Sequence, residues 1–263
     1  MIKLVISDVD GTLIDESEVL SQKAIDMAKY LKERNVLFTI ATGRVEYIAE
    51  GYVKKLGIEI PYITCNGATI VKGKEVLERN QIPLLPLKPM IEKADKEGLS
   101  VVYSIDGYEK VYRFTKWVLD QQRDFDRYHE EHRFTEHEWQ TLKVDKITIM
   151  DDTLAGCIAE YDKMCSELPD GYGYTRYLDR AVEVVSGGAT KANALRSLIN
   201  ILGIKPEEVL AAGDHQNDIE MVTEAGVGVA VGNATEQLKS VANYVAKGHN
   251  VDGLFEAVRH YIP

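Results

Sequence analysis

The sequence predicts an α/β protein: an open, mostly parallel sheet with helices on both faces, interrupted by an inserted α+β module. Three observations predict it. Apolar strand-like runs alternate with helix-period segments over residues 1–82. The same alternation resumes after residue 186. Between them lies a stretch with a proline-rich entry and several hairpin signals. Strands alternating with helices imply right-handed βαβ units.

Taken in order, "MIKLVIS" reads as a buried strand. "SQKAIDMAKYLKERN" places Ala24, Ile25, Ala28 and Leu31 on one helical face, with Asn35 as a left-handed stop. "VLFTIATGR" is a second strand, "VEYIAEGYVKKLG" a second helix ended by Gly57, and "PYITCNGA" a third strand. The segment "IPLLPLKP" (82–89) holds three of the seven prolines and reads as a crossing between domains. The inserted module is expected over 84–185, with the core formed by 1–83 and 186–263. Within the insert, "LSVVYSI" and "YEKVYRF" flank Asp106-Gly107, a hairpin turn signal. A helix over 115–131, the strand "DKITIM", a helix over 153–167 and a hairpin around Asp179-Arg180 complete it. The insert carries both tryptophans and eight of the fourteen tyrosines, as a recognition element or lid would; a half-exposed sheet lined with tyrosine would look the same. Beyond it come the helix "TKANALRSLINILG", the strand "EEVLAAGD", the helix "NDIEMVTEAG", the short strand "VGVAVG" and the helix "TEQLKSVAN".

Bulk properties narrow the function. A chain of 263 residues with 45% hydrophobic content can bury a large core. A net charge of −11 argues against nucleic acid and anionic membrane as partners. No run approaches the ~20 apolar residues of a membrane span, and no secretory leader is evident at the start. Three cysteines without a C-x-x-C pair fit unpaired thiols in a reducing, cytoplasmic setting. Monomer and dimer are equally compatible with these properties.

The chemistry collects at strand ends. Asp8 and Asp10 follow the first strand, Thr42 the second, Asn66 the third, and Asp214 a later one. In an open parallel sheet, ligands bind at the carboxyl ends of the strands, so these residues are expected to converge. If the chain stays extended, Asp8 and Asp10 point the same way. With Asp214 and Asp218 they make four carboxylates, which would not stay ionised together without a cation. Hard oxygen donors select a hard cation, and Mg²⁺ takes one or two carboxylates plus phosphate and water. Thr42-Gly43, Lys191 and Asn217 supply hydroxyl, N–H, ammonium and amide groups suited to a phosphate. Phosphoryl transfer needs such donors, a metal and an in-line nucleophile. An aspartate can be that nucleophile, and a second carboxyl nearby can move the proton.

Four segments, "DVDGTLID", "ATGR", "TKANAL" and "GDHQNDIEM", resemble, in order, the four motifs of the haloacid dehalogenase superfamily. With its large insert between the second and third motifs, the whole chain resembles the Cof-type class IIB sugar phosphatases; "CNGA" and "GNATEQLKSVANYVAKGHNVDGL" add to that likeness. The resemblance implies a Rossmann-like three-layer core with a cap closing over the site. It implies Asp8 as nucleophile and Mg²⁺ ligand, and Asp10 as acid/base with its main-chain carbonyl on the metal. Asp214 would be the third protein ligand, with Asp218 in or just behind that shell. Phosphate would be held by the main chain of Val9, by Thr42 and Gly43, by Lys191 and by Asn217. The expected substrates are small phosphorylated metabolites, chiefly sugar phosphates. A phosphomutase or phosphotransferase of the same fold is the alternative, and a non-catalytic phosphate-binding module a third reading. The third motif departs from the common G-V-S-K-G, reading Gly188-Ala189-Thr190-Lys191-Ala192.

Other signals are weaker. His129, His132 and His137 lack H-E-x-x-H spacing, so a solvated helix end is preferred to a zinc site. "SGGATKA" and "GVGVAVG" match neither a phosphate loop nor a dinucleotide fingerprint. Cys65 reads as a buried thiol, Arg44 as a contact either to substrate or to the surplus acid, and His215 as facing substrate or solvent. Tyr108, Tyr112, Arg113, Tyr174, Arg176 and Arg180 are the candidate recognition residues of the insert.

Overall fold

The computed structural model describes residues 1–125, 127, 129–153 and 156–263. The chain divides into two compact units, a core of Met1–Glu78 with Thr190–Pro263 and an inserted unit of Arg79–Ala189.

In chain order the core begins with β1 (Leu4–Ser7), α1 (Gln22–Glu33), β2 (Leu37–Ile40), α2 (Glu46–Leu56), β3 (Tyr62–Thr64), β4 (Thr69–Lys72) and β5 (Glu75–Arg79). The insert contains β6 (Ile82–Pro83), α3 (Lys88–Glu97), β7 (Ser100–Ile105), β8 (Tyr108–Val111), α4 (Lys116–Phe125), β9 (Glu130–Glu131), α5 (Glu136–Thr141), β10 (Lys143–Val144), β11 (Lys146–Met150), α6 (Ile158–Ser166), β12 (Tyr172–Tyr177) and β13 (Ala181–Ser186). The core resumes with α7 (Lys191–Leu202), β14 (Val209–Gly213), α8 (Ile219–Glu224), β15 (Val227–Ala230), α9 (Glu236–Val241), β16 (Tyr244–Val245) and α10 (Asn250–Tyr261).

The core sheet runs β16-β15-β14-β1-β2, and every pairing is parallel. Its strands read as continuous apolar runs because helices cover both faces. On one face Leu4, Ile6, Val209 and Ala211 pack with Leu195 and Leu198 of α7 and Met221 of α8. On the other, Val5, Leu210 and Val229 pack with Ala24 and Leu31 of α1 and Leu254 of α10. The helix punctuation follows the sequence. Ser21 caps α1 through its side chain, Asn35 is left-handed at φ 57°, and Gly57 and Gly203 close α2 and α7 in the same conformation.

Several expectations are corrected. After β3 the chain forms a three-stranded sheet, β3-β4-β5, rather than proceeding to the insert. Its turn rests on Gly73 at φ 60°, a single glycine between lysines that gave no dipeptide turn signal. The proline segment is not a free crossing: Ile82–Pro83 pairs antiparallel with Lys143–Val144, so it belongs to the insert. β16 and α10 also escaped the sequence reading.

The insert is a six-stranded sheet, β12-β13-β11-β7-β8-β9, antiparallel except for the β8–β9 pair. Its two expected hairpins form, and Asp106 and Gly107 both take left-handed φ. One face packs on α3, α5 and α6 through Ile91, Trp139 and Tyr161. The helix expected over 115–131 stops at Phe125, and Glu130–Glu131 pairs instead with Lys110–Val111. The helix expected over 153–167 begins at Ile158. Those parts of the two expected helices at 126, 128, 154 and 155 lie outside the described residues. The histidine segment is not a solvated helix end: His129 is buried, and His132 Nε2 lies 2.9 Å from Glu138 Oε1. Thr135 and Glu138 form a capping box on α5.

Leu198 lies fully buried between α7 and the sheet. Leu198→Ala is expected to lower stability to chemical denaturation by about 2–5 kcal/mol, and a loss under ~1 kcal/mol would mean that this face collapses around the missing side chain.

Candidate active site

The site forms where β1, β2 and β14 end. Asp8 extends the sheet by one residue, its N–H donating to Ala212 O at 2.9 Å, and its carboxylate is buried. The chain then turns on Val9, whose carbonyl accepts from the N–H groups of Leu13 and Ile14, both at 2.9 Å. Gly11 takes φ +82°, and a Cβ there would run into the Asp214 carboxylate. The Thr12 hydroxyl donates to Asp214 Oδ1 at 2.9 Å. The turn that follows the first aspartate is therefore built against the third.

A second loop carries Thr42 and Gly43. Thr42 N–H donates to Ile63 O at 3.0 Å, and its hydroxyl accepts from Arg44 N–H at 3.1 Å. Asn66 N–H returns to Thr42 O at 3.0 Å. Cys65 and Asn66 both hold left-handed φ, a conformation that costs free energy outside glycine. That strain brings the Asn66 amide to Gly43, where a Cβ would stand 3.1 Å from Nδ2. Asn217 Nδ2 donates to Asn66 Oδ1 at 2.9 Å. Thr42, Gly43, Asn66 and Asn217 thus form one group. Cys65 is fully buried, as the sequence reading preferred.

Lys191 joins the two sides. Thr190 caps α7 with its side chain, and the first residue of the helix sends its ammonium to Asp8 Oδ1 at 2.5 Å and Asp218 Oδ1 at 2.7 Å. All three side chains are buried. Burial alone would push the lysine down, but Asp218 and Asp8 outweigh it and hold its pKa above the ordinary value. Burial raises the Asp8 carboxyl well above the usual range, and Asp218, Asp214 and Asp10 add to the rise against the pull of Lys191. Asp214 is raised to about 6, by burial first and by Asp218 next, with the Thr12 hydrogen bond opposing. Asp218 has both oxygens engaged, since Oδ2 accepts the N–H groups of Asp214 and His215, each at 3.1 Å.

Asp10 does not share these surroundings. The extended geometry that would set it beside Asp8 ends at Ser7, and its carboxylate turns to Arg44, with Nε 2.8 Å from Oδ2 and Nη2 on Oδ1. Arg44 is buried, and its other arm meets Glu18 at 3.0 Å and the Tyr52 hydroxyl at 2.9 Å. Burial disfavours its charge, yet the bonds to Asp10 prevail and raise its pKa above the ordinary value. Of the two readings for Arg44, pairing with the surplus acid is the one observed.

Asp8, Asp214 and Asp218 each offer one oxygen within 4.8 Å of the others. An oxygen-only set of this kind fits a hard divalent cation. The histidines of the insert form no comparable group among the described residues. A cavity of about 660 Å³ opens beside the carboxylates, lined by Asp10, Gly11, Asp214, Asn233 and Asn250 among others. Sequence reasoning missed Thr12, Glu18, Tyr52, Asn233 and Asn250 as participants. Thr12 was legible as part of "DVDGT"; the others reach the site only through long-range packing. In the insert, Tyr112 is buried against Phe134 and Trp139, Arg113 pairs with Asp95, and Arg176 pairs with Asp162 and Asp179. Those three are committed to the insert's own structure, whereas Tyr108 and Tyr174 stay exposed.

A parallel α/β sheet that gathers aspartates, a buried lysine and amide donors at its strand ends is the kind of site in which such folds bind charged ligands. The chain belongs to the haloacid dehalogenase-like hydrolase family, whose sequence profile matches residues 5–258. It is 29% identical over 262 residues to the 5-amino-6-(5-phospho-D-ribitylamino)uracil phosphatase YcsE of Bacillus subtilis, covering 99% of this chain and 96% of that one. Among solved structures, the phosphatase BT1666 of Bacteroides thetaiotaomicron matches with a TM-score of 0.80 at 28% identity, covering 99% and 95% of the two chains. The subclass IIB sugar phosphatase BT4131 matches with a TM-score of 0.81 at 26% identity, covering 98% of each.

Asp214 generates a pH prediction. Its folded pKa of about 6 lies above the ordinary range of an aspartate carboxyl, so the folded state binds the extra proton. Its contribution to stability is fully present below the unfolded value and is lost as pH rises through about 6. A divalent cation must displace that proton at low pH but finds the carboxylate ionised at higher pH. The thermal stabilisation by millimolar Mg²⁺ is therefore expected to be clearly larger near pH ~7.5 than near pH ~5. An equal shift at both would remove Asp214 from the cation site.

Proposed function

We propose that this protein is a Mg²⁺-dependent phosphomonoester hydrolase acting on small phosphorylated metabolites, with sugar or polyol phosphates as the substrate class. The observation that carries the reading is the buried Lys191 bridging Asp8 and Asp218 beside Asp214, at the carboxyl edge of the sheet. The named substrates of YcsE and BT4131, a phosphorylated ribityl compound and sugar phosphates, support the choice of class.

In this reading Asp8 attacks the phosphorus in line. The bond to the leaving oxygen breaks, that oxygen takes a proton from Asp10, and an aspartyl-phosphate remains on Asp8. A water then attacks the phosphorus, Asp10 takes its proton, and inorganic phosphate leaves with Asp8 restored. Arg44 holds Asp10 as a carboxylate, the form the second transfer uses, so Asp10 must take up a proton before the first. Lys191 neutralises charge at Asp8 and at the phosphoryl oxygens, while Thr42, Gly43, the main chain of Val9 and Asn217 orient the group. A cation on Asp8, Asp214 and the main-chain carbonyl of Asp10 would neutralise further phosphate charge, with Asp218 as an additional ligand or behind it. The inserted unit, in the same proposal, recognises the organic part of the substrate, with Tyr108 and Tyr174 the exposed candidates.

Phosphate release from a panel of phosphorylated sugars and polyols should require Mg²⁺, and Asp8→Asn should lower it by at least about a thousandfold. Activity retained in that variant would refute the nucleophile assignment. A wild type that releases nothing, but moves phosphate between sugar positions, would favour a mutase.

A further inference from the structure

The C-terminal part of the core reaches the catalytic turn through two asparagines that the mechanism does not use. Asn233 Nδ2 donates to Gly11 O at 2.7 Å. Asn250 Nδ2 donates to the same oxygen at 2.9 Å and to Ile14 O at 3.1 Å. The Asn250 main-chain N–H in turn donates to Asn233 Oδ1 at 2.8 Å, so the Asn233 side chain ties the start of α10 to the turn. Carbonyl oxygens can only accept, which fixes the orientation of both amides. Gly11 follows Asp10 directly, and Gly11 N–H closes the turn on Ile14 O at 2.9 Å.

Three further features set this contact apart from ordinary loop packing. Asn250 holds a left-handed φ of 48° at the first residue of α10, a strained conformation that aims its side chain at the turn. The loop bearing Asn233 also pins the third aspartate, because Thr235 N–H donates to Asp214 O at 2.9 Å. Gly232 N–H donates to Gly248 O at 2.7 Å, and a Cβ at Gly232 would meet that carbonyl at 2.7 Å, so side chains larger than glycine are excluded between the two loops. Both asparagines face the cavity that Asp10 and Asp214 line.

We propose that Asn233 and Asn250 are positioning residues. They hold the Gly11 carbonyl in place, and through it Asp10, so that its carboxyl can transfer a proton. The catalytic part of this inference rests on the phosphatase reading above; the structural part does not.

Two readouts test it on the full-length protein, using Asn233→Ala and Asn250→Gly. The glycine variant keeps the left-handed backbone while removing the amide, and thermal denaturation checks that both variants fold. Amide hydrogen exchange of a peptide spanning residues 9–20 should rise about fivefold or more, as loss of a hydrogen bond worth ~1 kcal/mol allows, with α1 unchanged. Exchange that stays at the wild-type rate overturns the clamp whatever the enzyme does. The second readout compares p-nitrophenyl phosphate, whose leaving group needs no proton, with an alkyl phosphate, whose leaving group does. The variants should lose about tenfold more kcat on the alkyl ester, with KM little changed, in the direction of Asp10→Asn but smaller. Equal losses on both esters, where Asp10→Asn discriminates between them, overturn the positioning role. A wild type inactive on all esters sinks the phosphatase reading and leaves the exchange measurement to decide the clamp.

Discussion

The site depends on one buried cation. Lys191 is inaccessible to solvent and touches two carboxylates, themselves in a cluster of three. Without it, Asp8 and Asp218 would be buried anions with no charge to face, a situation that costs several kcal/mol or forces protonation. With it, each of the two buried carboxylates has an ammonium within hydrogen-bond reach, which offsets part of the cost of burying them. The cluster still holds an excess of negative charge, which is why burial and neighbouring acids drive both Asp8 and Asp214 upward. A second cation on the cluster would ease that excess, as the metal-assisted reading proposes.

The position of that lysine follows from the topology. It is the first residue of α7, which packs Leu195 and Leu198 against Leu4 and Ile6 of β1. The helix end is therefore fixed relative to Asp8 by the apolar core and by the Thr190 cap. Gly67 enforces the approach: at φ +98° it lies so close to the Thr190 carbonyl that no side chain fits. The loop carrying Asn66 and the start of α7 are thereby pressed together, which sets the Asn66 amide and Lys191 on neighbouring backbone.

Much of this was legible in the sequence, for identifiable reasons. Parallel strands covered on both faces must be apolar throughout and must end where the chain becomes polar, so Asp8, Thr42 and Asp214 were marked as strand ends by the pattern itself. Helix stops at Asn35 and Gly57 were readable because left-handed residues are few. The β4–β5 hairpin was not, because a lone glycine between lysines is a weak signal. The fate of Asp10 was not either. The strand ends before it, and its carboxylate is taken by Arg44, which the sequence placed near the acids without saying which one it would take. Asn233 and Asn250 lie 222 and 239 positions from Gly11, a range at which no local periodicity speaks.

Two carboxylates only two positions apart lie in different surroundings, as the opposite parts proposed for them would require. Asp8 is buried, paired with an ammonium that also binds Asp218, and surrounded by other acids. The Asp10 side chain keeps half its surface accessible and meets a guanidinium held by Glu18 and Tyr52. In the proposed mechanism the nucleophile needs a fixed, buried oxygen and the acid/base needs access to solvent protons, which the exposed half of Asp10 provides. The same turn supplies both because it breaks the strand after Ser7: the first carboxylate stays with the sheet, and the second goes with the loop. In the proposed mechanism, different environments rather than different residue types would assign the roles.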